Sequence, residues 1–196
     1  MYVHFFKRFL DFIFSIVLFP FFVLICLFII PAIKLEDGGP AFYNSERLGR
    51  GGKVFLMHKF RSMKVNSPDI RLDDGSTFNS PNDDRQTKIG QFLRKTSLDE
   101  LPQLLNVLKG EMSFVGPRPD LPSQEKLYEG DDYEKLSVRP GITGYSQAYF
   151  RNSVEWKKRL KSDVYYANNV SVLLDVRIVL KTILTVIRRD NVYSAE

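Results

Sequence analysis

Residues 12–33, FIFSIVLFPFFVLICLFIIPAI, contain no charged side chain and decide how the rest of the chain must be understood. A straight helix of this length extends about 33 Å, close to the hydrocarbon thickness of a bilayer. A cleaved signal peptide would have a shorter apolar region, followed by small residues at the cleavage site. A soluble helix that is apolar on all sides would need a larger protein to cover it. We therefore expect this segment to enter a membrane.

Pro20, in the middle of this segment, bears on how the segment enters the membrane. A proline inside a helix removes one backbone hydrogen bond and clashes with the preceding turn. Basic residues flank the segment on both sides, with Lys7 and Arg8 before it and Lys34 after it, so a single crossing would place basic groups on the outer face. A re-entrant helix that bends at Pro20 keeps both ends on one face, whereas a spanning helix with a tolerated proline kink is the alternative. The sequence predicts a membrane segment over residues 1–35 and a domain over residues 36–196 that forms one structural unit with it.

The composition of the chain is that of a single domain with a polar, basic remainder. Its 196 residues include one cysteine, Cys26, which cannot form an internal disulfide and excludes the disulfide-stapled secreted class. Two histidines cannot form a histidine-rich metal site. The net charge of +5 could serve nucleic acid, but no DNA- or RNA-binding motif is present. We therefore expect a lipid bilayer, and no nucleic acid, as the partner of this charge.

The remainder of the chain predicts an α+β fold that is mostly helical, with a small sheet or hairpin. The predicted elements are strands over 41–44, 54–63 and 112–115, a loop over 67–84, and helices over 86–95, 101–108, 153–167 and 172–189. Gly110 is the predicted end of one helix and Ser153 the predicted cap of another. Several of these helices are amphipathic and basic, so we expect interfacial docking on the membrane in addition to packing in the core.

Residues 96–103, TSLDELPQ, are the candidate centre of chemistry. Ser97 and Glu100 could form a capping box, but Pro102 would then be the fifth helical residue, where a backbone N–H is already required. With Asp99 near the cap, Pro102 falls in the first turn and costs no hydrogen bond. Asp99 and Glu100 then lie at a helix N-terminus, which attracts phosphate, and an ionised aspartate beside a metal and phosphate is a competent nucleophile. Spacing alone leaves a capping role and a catalytic role both open.

Basic residues elsewhere in the chain are candidate phosphate ligands. Arg118 lies between Pro117 and Pro119, two residues of fixed φ, and arginine suits bidentate phosphate recognition. Lys59 lies on a predicted strand and Arg139 in a predicted turn. Each of these residues alone is also typical of an ordinary surface charge.

Five motifs together resemble the bacterial sugar transferase family, the monotopic polyprenol-phosphate phosphoglycosyl transferases. The motifs are residues 59–63, 97–104, 106–110, 112–119 and 139–144. The resemblance extends from about Lys7 to Arg189. With no further domain ahead of the apolar segment, the chain is most similar to the small, single-domain, PglC-like members.

The resemblance implies a reaction and a set of roles. A UDP-sugar would donate its sugar 1-phosphate to undecaprenyl phosphate, releasing UMP and forming a polyprenyl-diphospho-sugar, the first membrane step of glycoconjugate and polysaccharide assembly. Asp99 would be the nucleophile that becomes a phosphosugar-aspartate. Glu100 would be its dyad partner, acting as a base or assisting the metal, and Mg²⁺ would bridge Asp99 and the diphosphate. Arg118 matches the phosphate-binding arginine of the family, and the further candidates for neutralising substrate charge are Lys59, Arg94 and Arg139.

The resemblance also implies a location. A re-entrant helix broken at a Ser-Pro pair would lie in the bacterial inner (cytoplasmic) membrane, with the catalytic domain on the cytoplasmic face and downstream glycosyltransferases as possible partners. Here Phe19 precedes Pro20, so the serine hydroxyl that could bind freed carbonyls is absent and the kink geometry stays open. The alternatives are a membrane-associated, metal-dependent diphosphatase and a non-catalytic scaffold of a glycan assembly complex.

Overall fold

The computed structural model describes residues 2–70, 78, 80, 83–150 and 153–188, which form a mostly helical α+β fold. The helices are α1 (Lys7–Asp37), α2 (Lys88–Thr96), α3 (Gln103–Lys109), α4 (Tyr145–Tyr149), α5 (Trp156–Asn168) and α6 (Val172–Arg188), and the strands are β1 (Phe42–Leu48), β2 (Val54–Phe60), β3 (Ser113–Val115) and β4 (Gly141–Thr143). A π-helical turn, Tyr2–Phe6, precedes α1, and 3-10 segments span Arg50–Gly52, Leu98–Glu100, Pro122–Leu127 and Gly130–Ser137. The predicted fold class is confirmed.

Helix α1 contains the apolar segment and, by length and composition alone, could cross a membrane. Its helical assignment continues without interruption through Pro20 and Pro31, so the bend at Pro20 stays a prediction. The helix ends where Gly38 adopts a left-handed φ of 70° and donates its N–H to the carbonyl of Lys34 at 2.9 Å. The helix thus ends at Asp37, two residues beyond the predicted boundary.

One stripe of α1 packs against the rest of the chain, and this stripe is interrupted next to Pro20. The buried residues of α1 are Asp11, Ser15, Phe22, Ile29 and Ile33. Leu18 has the spacing to continue the stripe between Ser15 and Phe22, yet it is 44% exposed, and residues 16–21 are all exposed. The two halves of α1 therefore pack on the globular part while the middle of the helix does not.

Polar side chains bind both ends of α1 to the same globular unit. Near its start, Arg8 donates to two carbonyl groups at the end of α3, and Asp11 accepts a hydrogen bond from the N–H of Phe114 at 3.1 Å. Near its end, Glu36 accepts hydrogen bonds from the first two N–H groups of α2, and Asp37 pairs with Arg61. The globular unit thus contacts α1 on both sides of Pro20.

Two small sheets flank the core. Strands β1 and β2 form an antiparallel hairpin, and strands β3 and β4 pair in parallel. The hairpin confirms the predicted sheet, although β1 is longer than expected and β2 ends at Phe60. Phe60 packs with Leu93, Leu104 and three buried residues of α1, so one apolar cluster joins the hairpin, α2, α3 and the membrane segment.

Helix α6 turns its apolar face outward. Asp175, Ile178 and Thr185 are buried, and the Asp175 carboxylate accepts hydrogen bonds from Tyr2, Lys7 and Tyr166. The large exposed apolar residues of this helix are Val172, Leu173, Val176, Val179, Leu180, Ile183, Leu184 and Ile187. An exposed apolar face of this extent on a helix is typical of an interface with lipid or protein.

Some local predictions differ from the structure. Ser153 does not cap a helix, because its hydroxyl donates to the carbonyl of Phe150 and α5 begins later, after Glu155. The short helix α4 and the 3-10 segments were not predicted, since each is too short to show a hydrophobic period. Most of the predicted loop over 67–84, together with Arg189, lies outside the described residues.

Candidate active site

Asp99 and Glu100 lie in a 3-10 turn that connects α2 to α3. Helix α2 ends at Ser97, whose left-handed φ of 57° redirects the chain. Pro102 directly precedes α3, where its missing N–H costs no helical hydrogen bond. The sequence placed the two acids at the N-terminus of the helix predicted over 101–108. In the structure they lie in a separate 3-10 turn, Leu98–Glu100, because the α-helix begins only at Gln103.

The two acids line a cleft of about 1020 Å³ that has a charged part and an apolar part. The charged part includes Asp99 and Glu100 and three of the predicted cations, Lys59, Arg94 and Arg118. The apolar residues of α1 that line the same cleft are Leu18, Phe21, Phe22 and Ile25. A water-soluble phosphate and an apolar chain could therefore occupy one continuous space.

Cations surround the acid pair at short range. The Lys59 ammonium donates to Oε1 of Glu100 at 2.8 Å, and Nη1 of Arg118 lies 4.0 Å from the same oxygen. Arg94 donates from Nε to the hydroxyl of Ser62 at 2.9 Å. Arg118 is the most exposed of the ion-paired groups here, with 45% of its side chain accessible. The site therefore presents positive charge beside two carboxylates, as binding of a diphosphate requires.

The pKa of Asp99 is raised to about 6, and burial of the carboxyl group is the largest cause. Glu100 adds to the rise, whereas Lys59 and Arg94 oppose it. In the protein without substrate or metal, Asp99 is mostly ionised at neutral pH but is costly to ionise. A cation or an electrophilic phosphorus placed beside such an anion lowers the free energy of its ionised form.

Arg139 does not lie in this cleft, which corrects its predicted place among the substrate ligands. Its Nε donates to the carbonyl of Gly110 at 2.8 Å, at the end of α3, and it lines a separate small cavity with Lys7 and Asp11. The carbonyl groups at a helix C-terminus attract cations, and this interaction accounts for the observed position of the guanidinium.

A buried charge cluster next to the cleft was missed by sequence reasoning. Lys135 is buried between Asp120 and Asp163, with Nζ–Oδ2 distances of 2.6 and 3.3 Å. Lys135 follows an acidic stretch, residues 129–134, that is typical of a solvated surface. No sequence signal distinguishes this lysine from an exposed one.

The acid pair has the chemistry of a Mg²⁺ ligand set only in combination with a substrate. Within the described part of the chain, no group of three or more histidine, cysteine or acidic residues could hold a metal ion. Mg²⁺ is commonly held by one or two carboxylates, water and substrate phosphates, so a dedicated protein cage is not needed. Asp99, an anionic oxygen donor lining the cleft, fits that pattern.

The sequence matches the family model described as bacterial sugar transferase over residues 2–189. The chain belongs to the bacterial sugar transferase family. The match includes α1 and every element of the site described above.

Three relatives show how the chain compares with other bacterial sugar transferases. The galactosyl transferase CpsE of Streptococcus agalactiae serotype III (strain NEM316) is 41% identical over 189 residues, which cover 92% of this chain and 42% of the relative. The undecaprenyl-phosphate galactose phosphotransferase of Salmonella typhimurium (strain LT2) is 44% identical over 169 residues, covering 81% of this chain and 36% of the relative. The uncharacterized sugar transferase EpsL of Bacillus subtilis (strain 168) is 40% identical over 186 residues, covering 95% of this chain and 89% of the relative. The chain thus spans less than half the length of the first two relatives and nearly all of EpsL.

Proposed function

We propose that this protein is a phosphoglycosyl transferase that moves a sugar 1-phosphate from a UDP-sugar to undecaprenyl phosphate, releasing UMP. The observation that carries the proposal is the Asp99–Glu100 pair in a cleft whose other wall is the apolar helix α1. A soluble donor and a lipid-linked acceptor could both reach this pair. The Salmonella relative is named as an undecaprenyl-phosphate galactose phosphotransferase, and this name supports the same reaction.

In the first step, an Oδ atom of Asp99 attacks the β-phosphorus of the donor. The bond between this phosphorus and the oxygen bridging to the α-phosphate breaks, UMP leaves, and Asp99 carries the sugar phosphate. Lys59 and Arg94 offset the charge that builds up on the phosphoryl oxygens, and Arg118 binds the diphosphate of the donor. The raised pKa of Asp99, about 6, supports its role as nucleophile, because forming the acyl phosphate removes a carboxylate charge that is costly to bury.

In the second step, a phosphate oxygen of undecaprenyl phosphate attacks the phosphorus held by Asp99. The bond from Asp99 to phosphorus breaks, which restores the carboxylate and forms the diphosphate linkage. Glu100 accepts the proton of the incoming phosphate where that phosphate is protonated. The ion pair with Lys59 at 2.8 Å supports this role, because it fixes the orientation of the Glu100 carboxylate beside Asp99.

Asp99 is also the residue that would hold Mg²⁺, together with the donor diphosphate. When bound, the ion would neutralise phosphate charge as phosphoryl transfer requires. Glu100 is engaged by Lys59, and this pairing supports Asp99 as the carboxylate that remains for the metal.

We further propose that α1 is a re-entrant helix, so that the protein is monotopic on the cytoplasmic face of the bacterial inner membrane. The ties of Arg8 and Asp37 to one globular unit support this topology, because a spanning helix would separate them by the thickness of the bilayer. The exposed apolar face of α6 supports docking on the same surface. A Tyr2→Cys variant in a Cys26→Ser background, treated with an impermeant thiol reagent on intact cells, should stay unlabelled. Labelling from outside would contradict re-entry.

The reaction is tested by UMP release from the protein in lipid nanodiscs. We expect UMP from at least one member of a UDP-sugar panel that includes UDP-galactose, with multiple turnover only when undecaprenyl phosphate is present. Asp99→Asn should be inactive, and the exposed-site variant Asp131→Asn should match the wild type. Sustained release of UMP and free sugar phosphate without the acceptor would instead identify a diphosphatase. Binding of both substrates without UMP release would identify a scaffold.

A further inference from the structure

Nearly every polar group of the backbone around Arg118 forms a hydrogen bond. Pro117 and Pro119 lack an N–H, so hydrogen bonds to this segment depend on its carbonyls and on the single N–H of Arg118. The carbonyl of Pro117 accepts from the N–H of Gly141 at 2.9 Å, and the carbonyl of Asp120 accepts from the N–H of Leu48 at 2.8 Å. These bonds anchor the two ends of the segment to β4 and β1.

Buried side chains hold Arg118 itself. Its N–H donates to Oδ2 of Asp163 at 3.2 Å, and its carbonyl accepts from the ammonium of Lys135 at 3.1 Å. Lys135 is 3% exposed and Asp163 is 2% exposed. Both main-chain polar groups of a cleft arginine are thus bound by one buried ion pair.

The surrounding contacts satisfy the hydrogen-bonding groups of Lys135 and Asp163. An ammonium has three N–H donors, and those of Lys135 contact Arg118, Asp120 and Asp163. The second oxygen of Asp163 accepts from the hydroxyl of Ser146 at 2.7 Å. Asp120 accepts hydrogen bonds from Tyr128 and Trp156, which fix the lysine from its other side. The cluster joins α4, α5, the 3-10 segment Gly130–Ser137 and the loop that carries Asp120, at the wall of the cleft.

Burying one cation and two carboxylates is costly, and a buried ion pair commonly contributes less to stability than an apolar replacement of the same volume. The cluster is therefore better explained by what it orients. Its contacts converge on the residue whose guanidinium reaches towards Glu100 in the cleft.

We propose that Lys135 and Asp163 are positioning residues, which clamp the backbone of Arg118 so that its guanidinium is held where the donor diphosphate binds. This inference rests on the proposed function of the cleft. A fixed backbone sets the position from which the Arg118 side chain extends, so that phosphate binding has to order only the side chain and not the segment that carries it. Without the clamp, Arg118 still carries its charge, but each substrate molecule must also order the backbone of this segment.

The test is a double-mutant cycle on the protein in lipid nanodiscs, with UMP release as the readout. Asp163→Leu removes the acceptor of the Arg118 N–H and leaves Lys135 paired with Asp120, so the buried charge stays balanced. We expect it to raise KM for the UDP-sugar about tenfold with kcat nearly unchanged. Asp163→Asn retains an oxygen that can accept the same N–H, and should restore KM to within about threefold of the wild type.

The second arm of the cycle separates positioning from a general effect on the fold. In an Arg118→Ala background, Asp163→Leu should change KM by less than about twofold, because the residue it positions is already absent. Full additivity of the two substitutions would overturn the proposal, as would an unchanged KM in Asp163→Leu when Arg118→Ala raises it. Where Asp163→Leu does not fold, Ser146→Ala decides in its place, with an expected rise in KM of about threefold that is likewise lost in the Arg118→Ala background.

The outcomes also distinguish the two levels of the account. An inactive wild-type protein would contradict the proposed function and this proposal with it. An active wild type with additive variants would overturn the positioning role alone.

Discussion

The protein contains two clusters in which carboxylates meet cations, and both line the cleft. In the first, Lys59 and Glu100 keep about a fifth of their side chains exposed, and Arg118 nearly half. In the second, Lys135 and its two aspartates are almost fully buried and bind one another. Groups of the same chemistry are therefore left accessible to a ligand in one place and satisfied by the protein in the other.

Burial is the largest influence on titration in both clusters. It is the main reason why the pKa of Asp99 is raised to about 6, and it also raises the pKa of Asp163, although Lys135 opposes the rise at Asp163. Burial alone would lower the pKa of Lys135, but Asp120 and Asp163 outweigh it and the pKa lies above its usual value. The clusters therefore differ less in the cost of burial than in how it is met, because the charges of Lys135 and its two aspartates are paired directly with one another.

The largest expected effect comes from removing the carboxylate of Asp99. Asp99→Asn should lower kcat by at least about 1,000-fold, because the amide cannot form the acyl phosphate. The measurement is UMP release with donor and acceptor, and far-UV circular dichroism should show an unchanged fold. Residual activity within about tenfold of the wild type would remove Asp99 from the nucleophile role.

A smaller effect is expected at the cation that pairs with Glu100. Lys59→Met should lower kcat/KM by about 100-fold, since it removes both the partner of Glu100 and a charge that lowers the pKa of Asp99. Steady-state kinetics provide the measurement. The control is Lys53→Met, at an exposed position in the hairpin turn, which should behave as wild type. Equal effects of the two substitutions would show that only net charge matters.

Replacement of Arg118, whose guanidinium is exposed, should reduce activity less than replacement of Lys59. Arg118→Lys keeps the charge but loses the bidentate geometry, so KM for the UDP-sugar should rise about fivefold to tenfold with kcat little changed. Arg139→Lys is the matched control, because Arg139 lies outside the cleft. A larger effect on KM at Arg139 than at Arg118 would contradict the site as described.

The smallest expected effect is on stability. Asp99 has a folded-state pKa of about 6 against an ordinary value of 3.8, so its ionised form destabilises the folded state. Asp99→Asn should therefore raise Tm in the absence of Mg²⁺ above about pH 6, and the gain should shrink as the pH falls and disappear below pH 3.8, where the wild-type carboxyl is protonated in both the folded and the unfolded state. Thermal unfolding across this range provides the measurement. A gain in Tm that is independent of pH would show that burial of the charge is not the cause.

The sequence predicted the parts of the fold that carry a strong local signal. The apolar run of α1, the leucine spacing of α3 and the glycine at its end were sufficient to place these helices. The strands predicted over 41–44 and 54–63 correspond to the two strands of the hairpin. The outward-facing apolar side of α6 was visible as a pattern, but a pattern does not state which side faces the protein.

The remaining features depend on contacts between distant parts of the chain. Lys135 is bound by aspartates 15 and 28 residues away, and nothing local to it indicates burial. Arg139 has the sequence context of a phosphate ligand, yet its guanidinium binds a helix C-terminus instead. Three of the four predicted cations reached the cleft because they lie on elements that the core brings together around Asp99.

The central claim is that Asp99 becomes covalently attached to the donor's sugar phosphate, and intact-mass spectrometry after incubation with UDP-sugar and Mg²⁺ alone tests it most directly. The account predicts an added mass equal to one sugar phosphate on the wild type, which is lost on addition of undecaprenyl phosphate and never forms on Asp99→Asn. A wild-type protein that turns over both substrates, yet stays unmodified under rapid quenching with donor alone, would contradict it.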